Sequence, residues 1–169
     1  QYPFGYGLSY TTFTQEMSEI REDGTTLSFD VTVTNTGDTA GKDVAEVYFN
    51  PPYTNGGIEK ASANLVRYEK TGMLEPGKSE TVTITFDKKD MAAYDESGTG
   101  CYVLDAGEYI VSAKANSHVE LDSKTVPVAE AIRYDESNPR PSDDVAAVNV
   151  LQDARGVCEY LSRKDGFDS

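Results

Sequence analysis

The stretch "LSFDVTVTN" (Leu27–Asn35) alternates apolar and polar side chains without interruption. Leu27, Phe29, Val31 and Val33 occupy every second position, and serine, aspartate and threonine fill the positions between them. Consecutive side chains of a β-strand point to opposite faces of the sheet. The stretch therefore predicts a strand with one face in a hydrophobic core and the other in water.

Several other stretches between Phe13 and Val128 have the same strand character. Turn-forming sequences such as "TNTGDTAGKD" and "LEPGK" separate them, and glycine, proline, asparagine and aspartate favour turns. Short strands in close succession are typical of an all-β sandwich. The absence of tryptophan excludes the Cys-Trp-Cys core of immunoglobulin domains. The predicted strands are 27–35, 44–49, 65–68 and 81–87, two strands around a turn at 105–108, and 124–128, with a helical turn and loop in 90–100.

Tyr109 occupies a position that resembles a tyrosine corner. Leu104, Ala106 and Gly107 precede it in the pattern that opens such a strand, where the phenol bonds back to the upstream backbone. The alternative is that Tyr109 is simply another packed aromatic residue.

The first thirteen residues, "QYPFGYGLSYTTF", are unusually rich in aromatic side chains and glycine. Amino-terminal segments are usually polar and poorly ordered, whereas these side chains look suited to burial. We predict that residues 1–12 form a junction segment that packs against a neighbouring domain, so that the chain is part of a larger protein. The predicted packing residues are Tyr2, Phe4, Tyr6, Leu8, Tyr10 and Phe13.

The composition changes after Val128. Residues 129–144 are acidic and contain Pro139 and Pro141, as in an extended linker. Apolar residues return after this stretch, and Asp143 and Asp144 could cap a short helix that ends by Asn149. Two short extended pieces would fit this part of the tail equally well.

Charge and composition narrow the possible partners. The formal net charge is −14 and the pI is about 4.3, so nucleic acids and anionic membrane surfaces are not expected as partners. No apolar stretch is long enough to span a bilayer. Cys101 and Cys158 fit two free thiols or one long-range disulfide. No Asn-x-Ser/Thr site for N-glycosylation occurs in the sequence. This does not determine the compartment of the protein, although it favours the cytoplasm over secretion.

No cofactor or metal site is expected from the sequence. The only histidine is His118, the cysteines do not have metal-ligand spacing, and no phosphate-binding glycine loop is present. Asp38 and Asp43 lie near two glycines but lack the EF-hand pattern.

Two further kinds of site are possible: a pair of catalytic carboxylates and a set of aromatic rings on which a sugar stacks. Glycoside hydrolysis needs only a pair of carboxylates, but acidic side chains on a strand are far more often solvated than catalytic. The acids considered are Asp30, Glu46, Asp87, Asp143 and Asp144. Tyr48 and Tyr53 lie beside a loop rich in proline and glycine and are candidate sugar-stacking residues, although packing of that loop explains them as well.

Three further stretches and the aromatic start resemble a known family. "YPFGYGLSYTTF" (Tyr2–Phe13) resembles the junction in family-3 glycoside hydrolases, the β-glucosidase and β-xylosidase group, between their α/β-sandwich domain and a fibronectin type III-like domain. "VTVTNTGDTAGKDVAEVYF", "LEPGKSETVTITF" and "AGEYIVSAKANS" are similar to stretches of that second domain. The resemblance implies a fibronectin type III-like β-sandwich over residues 13–128.

The tail carries a shorter resemblance. "YLSRKDGF" (Tyr160–Phe167) resembles the lead-in to the (β/α)8 barrel in family members whose domains are permuted, with the α/β sandwich first and the barrel last. It implies that residues 129–169 are a linker toward a barrel outside this chain. The loop Asn50–Asn64 is expected to reach toward the rim of the active site in such an enzyme.

The resemblance also implies a function. The family hydrolyses glycosides with retention, using an aspartate nucleophile on the barrel and an acid/base carboxylate from a neighbouring domain. The nucleophile's motif has no counterpart here, so no catalytic residue is assigned to this chain.

We therefore expect a non-catalytic scaffold domain whose partners are the α/β sandwich and the barrel of one enzyme. That enzyme would act on terminal non-reducing β-D-glucosyl or related residues. The alternative is a free-standing carbohydrate- or cell-surface-binding module.

Overall fold

A computed structural model describes residues 2–7, 9–96, 98–140 and 162–164. Eleven β-strands and one short 3-10 helix, Lys88–Met91, account for the regular structure of these residues, which contain no α-helix. No helix in this part of the chain is long and apolar enough to cross a membrane. The strands are β1 (Phe13–Met17), β2 (Arg21–Asp23), β3 (Thr26–Asn35), β4 (Val44–Asn50), β5 (Asn64–Lys70), β6 (Ser79–Asp87), β7 (Ala93–Tyr94), β8 (Tyr102–Leu104), β9 (Gly107–Asn116), β10 (Val119–Val128) and β11 (Ile132–Tyr134).

Two four-stranded antiparallel sheets form the sandwich. The first has β3 at its centre, with β1 and β2 along one edge of β3 and β6 along the other. The second has the strand order β10-β9-β4-β5. A small third sheet, β11-β8-β7, completes the described fold. The predicted all-β sandwich is confirmed.

The core forms where the two sheets face each other. Every second residue of β3 is fully buried, as the alternation in "LSFDVTVTN" predicts. In the register between β3 and β6, Leu27 lies opposite Phe86 and Phe29 opposite Ile84. Burial of these apolar side chains is the main driving force for the fold. The second sheet contributes Ala45, Val47, Phe49, Tyr109, Val111, Ala113 and Val126 to the same core.

The predicted strands differ from the observed ones mainly in their limits. The last predicted strand, 124–128, is the second half of a longer strand, β10, which begins at Val119. The helical turn lies at Lys88–Met91, two residues earlier than predicted. β11 lies beyond Val128, where the sequence predicts a linker, and its three residues pair with β8. Residues 141–161, which include the predicted helix, lie outside the described residues.

Asn35 organises the turns at one end of the first sheet. Its side chain is fully buried and accepts hydrogen bonds from Thr11 Oγ1 (2.8 Å) and the Gly37 backbone N–H (3.0 Å). It donates to the carbonyl oxygens of Thr39 and Leu74, both at 2.8 Å. A buried side-chain amide whose oxygen and nitrogen are both fully hydrogen-bonded stabilises one arrangement of the surrounding loops. Asn35 thereby joins the end of the junction segment to two turns of the sandwich.

Tyr109 forms the predicted tyrosine corner. The side chain is completely buried, and the backbone N–H of Asp105, four residues upstream, donates a hydrogen bond to its phenol oxygen. Burial, with a smaller contribution from the Asp105 charge, raises the pKa of Tyr109. The corner therefore fixes the turn between β8 and β9.

This corner can be tested by the substitution Tyr109→Phe, which removes only the hydroxyl. We expect the free energy of unfolding to fall by about 1–3 kcal/mol, because the Asp105 N–H loses its partner beside the core. Urea unfolding followed by circular dichroism measures the change. Tyr10→Phe is the control, since the Tyr10 side chain is 98% exposed. Equal stability of the two variants would contradict the structural role of the corner.

Candidate interdomain surface

The junction segment lies across the second sheet. The carbonyl oxygen of Phe4 accepts a hydrogen bond from the Ser117 N–H (2.9 Å), in the turn between β9 and β10. Gly5 has a φ of +81°, and a side-chain carbon there would overlap the Glu46 carboxylate on β4. The positive φ therefore favours glycine at this position, where the chain passes close to Glu46.

Most of the aromatic side chains of the junction segment remain exposed. The exposed fractions are 78% for Tyr2, 68% for Phe4, 48% for Tyr6 and 98% for Tyr10. The rings of Tyr2 and Tyr6 stack on each other, with centroids 4.7 Å apart. Exposed apolar rings grouped along one segment often mark an interaction surface. We call Tyr2, Phe4 and Tyr6 the aromatic patch.

The other two predicted packing residues differ from the aromatic patch. Phe13, the first residue of β1, is partly buried and packs against the core of the sandwich. Its ring therefore contributes to this domain itself. Leu8 lies outside the described residues.

A polar cluster lies on the same outer face of the second sheet. Tyr48 is only 2% exposed, and its hydroxyl donates a hydrogen bond to Glu46 (2.9 Å). Burial, followed by this contact with Glu46, raises the pKa of Tyr48 to about 12. The ammonium of Lys114 lies 5.5 Å from the centre of the Tyr48 ring. A sugar cannot stack on a ring that is covered in this way.

The loop after β4 is fastened to the tyrosine corner. The ammonium of Lys60, a residue that is 8% exposed, forms an ion pair with Asp105 and donates a hydrogen bond to the Pro52 carbonyl (3.0 Å). Gly107 has a φ of +136°, and a side-chain carbon there would lie 2.9 Å from Pro52. Charged groups that leave water need such partners. The ion pair and this close packing together fix the loop against the β8–β9 turn.

The described part of the predicted linker motif, residues 162–164, lies against this loop. Glu59 accepts hydrogen bonds from the Ser162 hydroxyl and the Arg163 backbone N–H, both at 2.7 Å. These two bonds lower the pKa of the Glu59 carboxyl, the Ser162 bond having the larger effect. Tyr53, the second candidate for sugar stacking, has the Arg163 guanidinium 4.2 Å from its ring centre. Two regions that are distant in sequence are therefore in contact.

Three of the five candidate catalytic carboxylates have hydrogen-bond or ion-pair partners within the domain. Asp30 accepts from Thr83 (2.8 Å) and lies 3.5 Å from Arg21. Asp87 caps the 3-10 helix through the Lys89 N–H and also binds Thr25. Glu46 binds Tyr48, as described above. Asp143 and Asp144 lie outside the described residues.

Metal-ligating residues are scattered among the described parts of the chain. Within the four described ranges, no group of three or more histidine, cysteine, aspartate or glutamate side chains could hold an ion. His118 lies in the β9–β10 turn, where its backbone N–H donates to Asn116 (3.0 Å). Cys101 is a free thiol, and Cys158 lies outside the described residues.

Comparison with known proteins identifies the sandwich. The family model of the fibronectin type III-like domain matches residues 43–117. The crystal structure of a GH3 β-glucosidase from Bifidobacterium adolescentis superimposes on this chain with a TM-score of 0.64 at 27% sequence identity. The match covers 77% of this chain and 19% of that one. The chain contains a fibronectin type III-like domain of glycoside hydrolase family 3. The resemblance to glycoside hydrolase family 3 is thereby confirmed, and the assignment of "YPFGYGLSYTTF" as a junction stays a prediction.

Individual relatives are much longer than this domain. A β-glucosidase from Kluyveromyces marxianus is 38% identical over 134 residues, which are 79% of this chain and 16% of the relative. The crystal structure of a β-glucosidase from that organism with glucose has a TM-score of 0.72 at 36% identity, over 79% of this chain and 16% of that one. An exo-α-(1→6)-L-arabinopyranosidase from Bifidobacterium longum is 32% identical over 90% of this chain and 21% of the relative. The chain thus spans roughly a fifth or less of each of these proteins.

Exposure of the aromatic patch predicts that the isolated domain binds hydrophobic dyes. We expect the triple variant Tyr2→Ser, Phe4→Ser and Tyr6→Ser to lower Nile red fluorescence by about half, because it removes three exposed aromatic rings. The matched control, Leu65→Ser with Tyr68→Ser, changes exposed apolar residues on β5. An unchanged signal in the triple variant, or an equal loss in the control, would contradict the assignment of the patch.

Proposed function

We propose that this domain is a non-catalytic scaffold within a β-glucosidase-type glycoside hydrolase. The observation that carries the proposal is the aromatic patch, which is anchored to the second sheet by its backbone but leaves its rings in water. When another surface covers these apolar rings, they leave water and the free energy of the assembly falls. The covering surface would be the α/β sandwich of the same protein, and residues 1–12 would be the seam.

The tail would lead to the next domain. The Bifidobacterium longum relative aligns with 90% of this chain, so the similarity extends beyond the sandwich. This supports a linker over residues 129–169 that belongs with the β domain and connects it to a (β/α)8 barrel. The permuted order, with the barrel last, is part of the proposal.

The parent protein would hydrolyse terminal non-reducing β-D-glucosyl or related residues. The K. marxianus and B. adolescentis relatives are β-glucosidases, and the B. longum relative is an arabinopyranosidase. The nucleophile and the acid/base carboxylate would lie on other domains, because the acidic side chains described above already serve capping, ion pairing and hydrogen bonding. The alternative, a free-standing sugar-binding module, finds no open ring at Tyr48 or Tyr53 to support it.

A non-catalytic role can be tested in the full-length protein. We expect Asp30→Asn, Glu46→Gln and Asp87→Asn to leave kcat/KM for an aryl β-glucoside within about twofold, since these carboxylates would lie away from the reacting atoms. Asp87→Asn should lower the unfolding temperature because it weakens a helix cap. The assay is therefore run well below the unfolding temperature of each variant.

A large loss of activity in one of these variants would be the opposite result. Loss of a catalytic acid or base lowers the rate by about 100-fold or more. Such a loss in any of the three variants, at unchanged circular dichroism, would show that this domain contributes to the chemistry and would overturn the scaffold proposal.

A further inference from the structure

We propose that the loop after β4 is a docking site for the segment Ser162–Lys164, and that this contact fixes the point at which the chain leaves the β domain. The inference rests on the proposed function only for its consequence, the orientation of a following domain. The docking itself is a property of this chain. We call Tyr53, Glu59 and Lys60 the docking loop.

The first argument is the recognition of the segment's backbone. One carboxylate, Glu59, accepts from the Ser162 hydroxyl through Oε2 and from the Arg163 N–H through Oε1. Hydrogen bonds to an ionised acceptor are about twice as strong as neutral ones. Because one partner is a main-chain N–H, the contact specifies the path of the chain as well as the identity of its side chains.

The second argument is the environment of the Arg163 side chain. Its guanidinium lies over the Tyr53 ring at 4.2 Å and donates to the Lys60 carbonyl oxygen at 3.1 Å. Arginine is suited to this combination, since its planar group stacks on an aromatic face while its edge donates hydrogen bonds. Lysine could not make both contacts in the same geometry. The docking loop thus binds the segment through a carboxylate, a ring face and a carbonyl.

The third argument is the rigidity of the receiving surface. The Lys60 ammonium is buried between Asp105 and the Pro52 carbonyl, and Pro52 packs against Gly107. Asp105 is in turn the backbone partner of Tyr109 in the tyrosine corner. A loop fastened in this way offers a preformed site, so little conformational entropy is lost when the segment binds. The docking loop therefore connects the linker to the core of the sandwich.

The docking loop consequently has a role in addition to the one expected from the sequence. Its Glu59–Lys60 portion holds the chain's own linker segment, and the approach of the loop to an active-site rim stays a prediction. A linker that is held close to the domain transmits that domain's orientation to the part that follows, whereas a free linker would not.

Amide hydrogen exchange of Arg163 tests the docking directly, because this N–H is the donor to Glu59. In the 169-residue chain we expect exchange about tenfold slower than in a synthetic peptide spanning residues 157–169. Glu59→Ala removes both acceptor oxygens and should return the Arg163 rate to that of the peptide. Glu69→Ala, an exposed residue on β5, is the matched control and should keep the protection.

Exchange of the β3 amides in the same samples shows that each variant is folded. Arg163→Lys provides a second readout, since it keeps the backbone contact but loses the stacking on Tyr53, and it should give an intermediate rate. Exchange of Arg163 at the peptide's rate in the unmodified chain, or protection that survives Glu59→Ala, would overturn the proposal. A failed docking test would leave the aromatic patch and its assays untouched, so the two proposals can fail separately.

Discussion

The turn at Asp105 connects the parts of this molecule that are distant in sequence. Its backbone N–H binds the phenol of Tyr109 inside the core, and its carboxylate pairs with the buried ammonium of Lys60. The first contact sets the direction of β9, which lies beside both β4 and β10. The second fastens the loop against which residues 162–164 lie. One residue therefore joins the sandwich core, the long loop and the linker.

The sequence was most informative where structure is local. The alternation of Leu27, Phe29, Val31 and Val33 predicts a strand and its buried face, because both follow from the period of two. The tyrosine corner is also local, since Tyr109 and Asp105 are four residues apart. The aromatic start predicts an interaction surface, and the rings of Tyr2, Phe4 and Tyr6 are exposed, but their partner stays a prediction.

Contacts between distant parts of the chain could not be predicted from the sequence. Glu59 and Arg163 are separated by more than a hundred residues, and neither is unusual in its local sequence. The burial of Lys60 also depends on the fold, because its ion-pair partner Asp105 is distant in sequence. Tyr48 looked available to a ligand, because the sequence does not show that this position on the outer face of its sheet is covered. β11 was missed because three residues carry too weak a pattern.

The abundance of acidic residues has a structural explanation in several places. Asp87 caps a helix, Asp30 binds a threonine across the sheet, and Glu59 receives the linker. An acidic chain of this kind offers many carboxylate pairs, so their presence alone is poor evidence for catalysis. The aromatic patch is more specific evidence, since large rings are seldom left in water without a partner. The proposed scaffold role rests on this patch.

Hydroxyl-radical footprinting of the aromatic patch tests this account most directly. The oxidation rates of Tyr2, Phe4 and Tyr6 would be measured in this chain and in the full-length protein, with buried Tyr109 as the internal reference for protection. A scaffold that is covered by its neighbour predicts rapid oxidation of the three rings in the chain and protection close to that of Tyr109 in the full-length protein. Equal, rapid oxidation in both proteins would contradict the account, because the patch would then have no partner within its own enzyme.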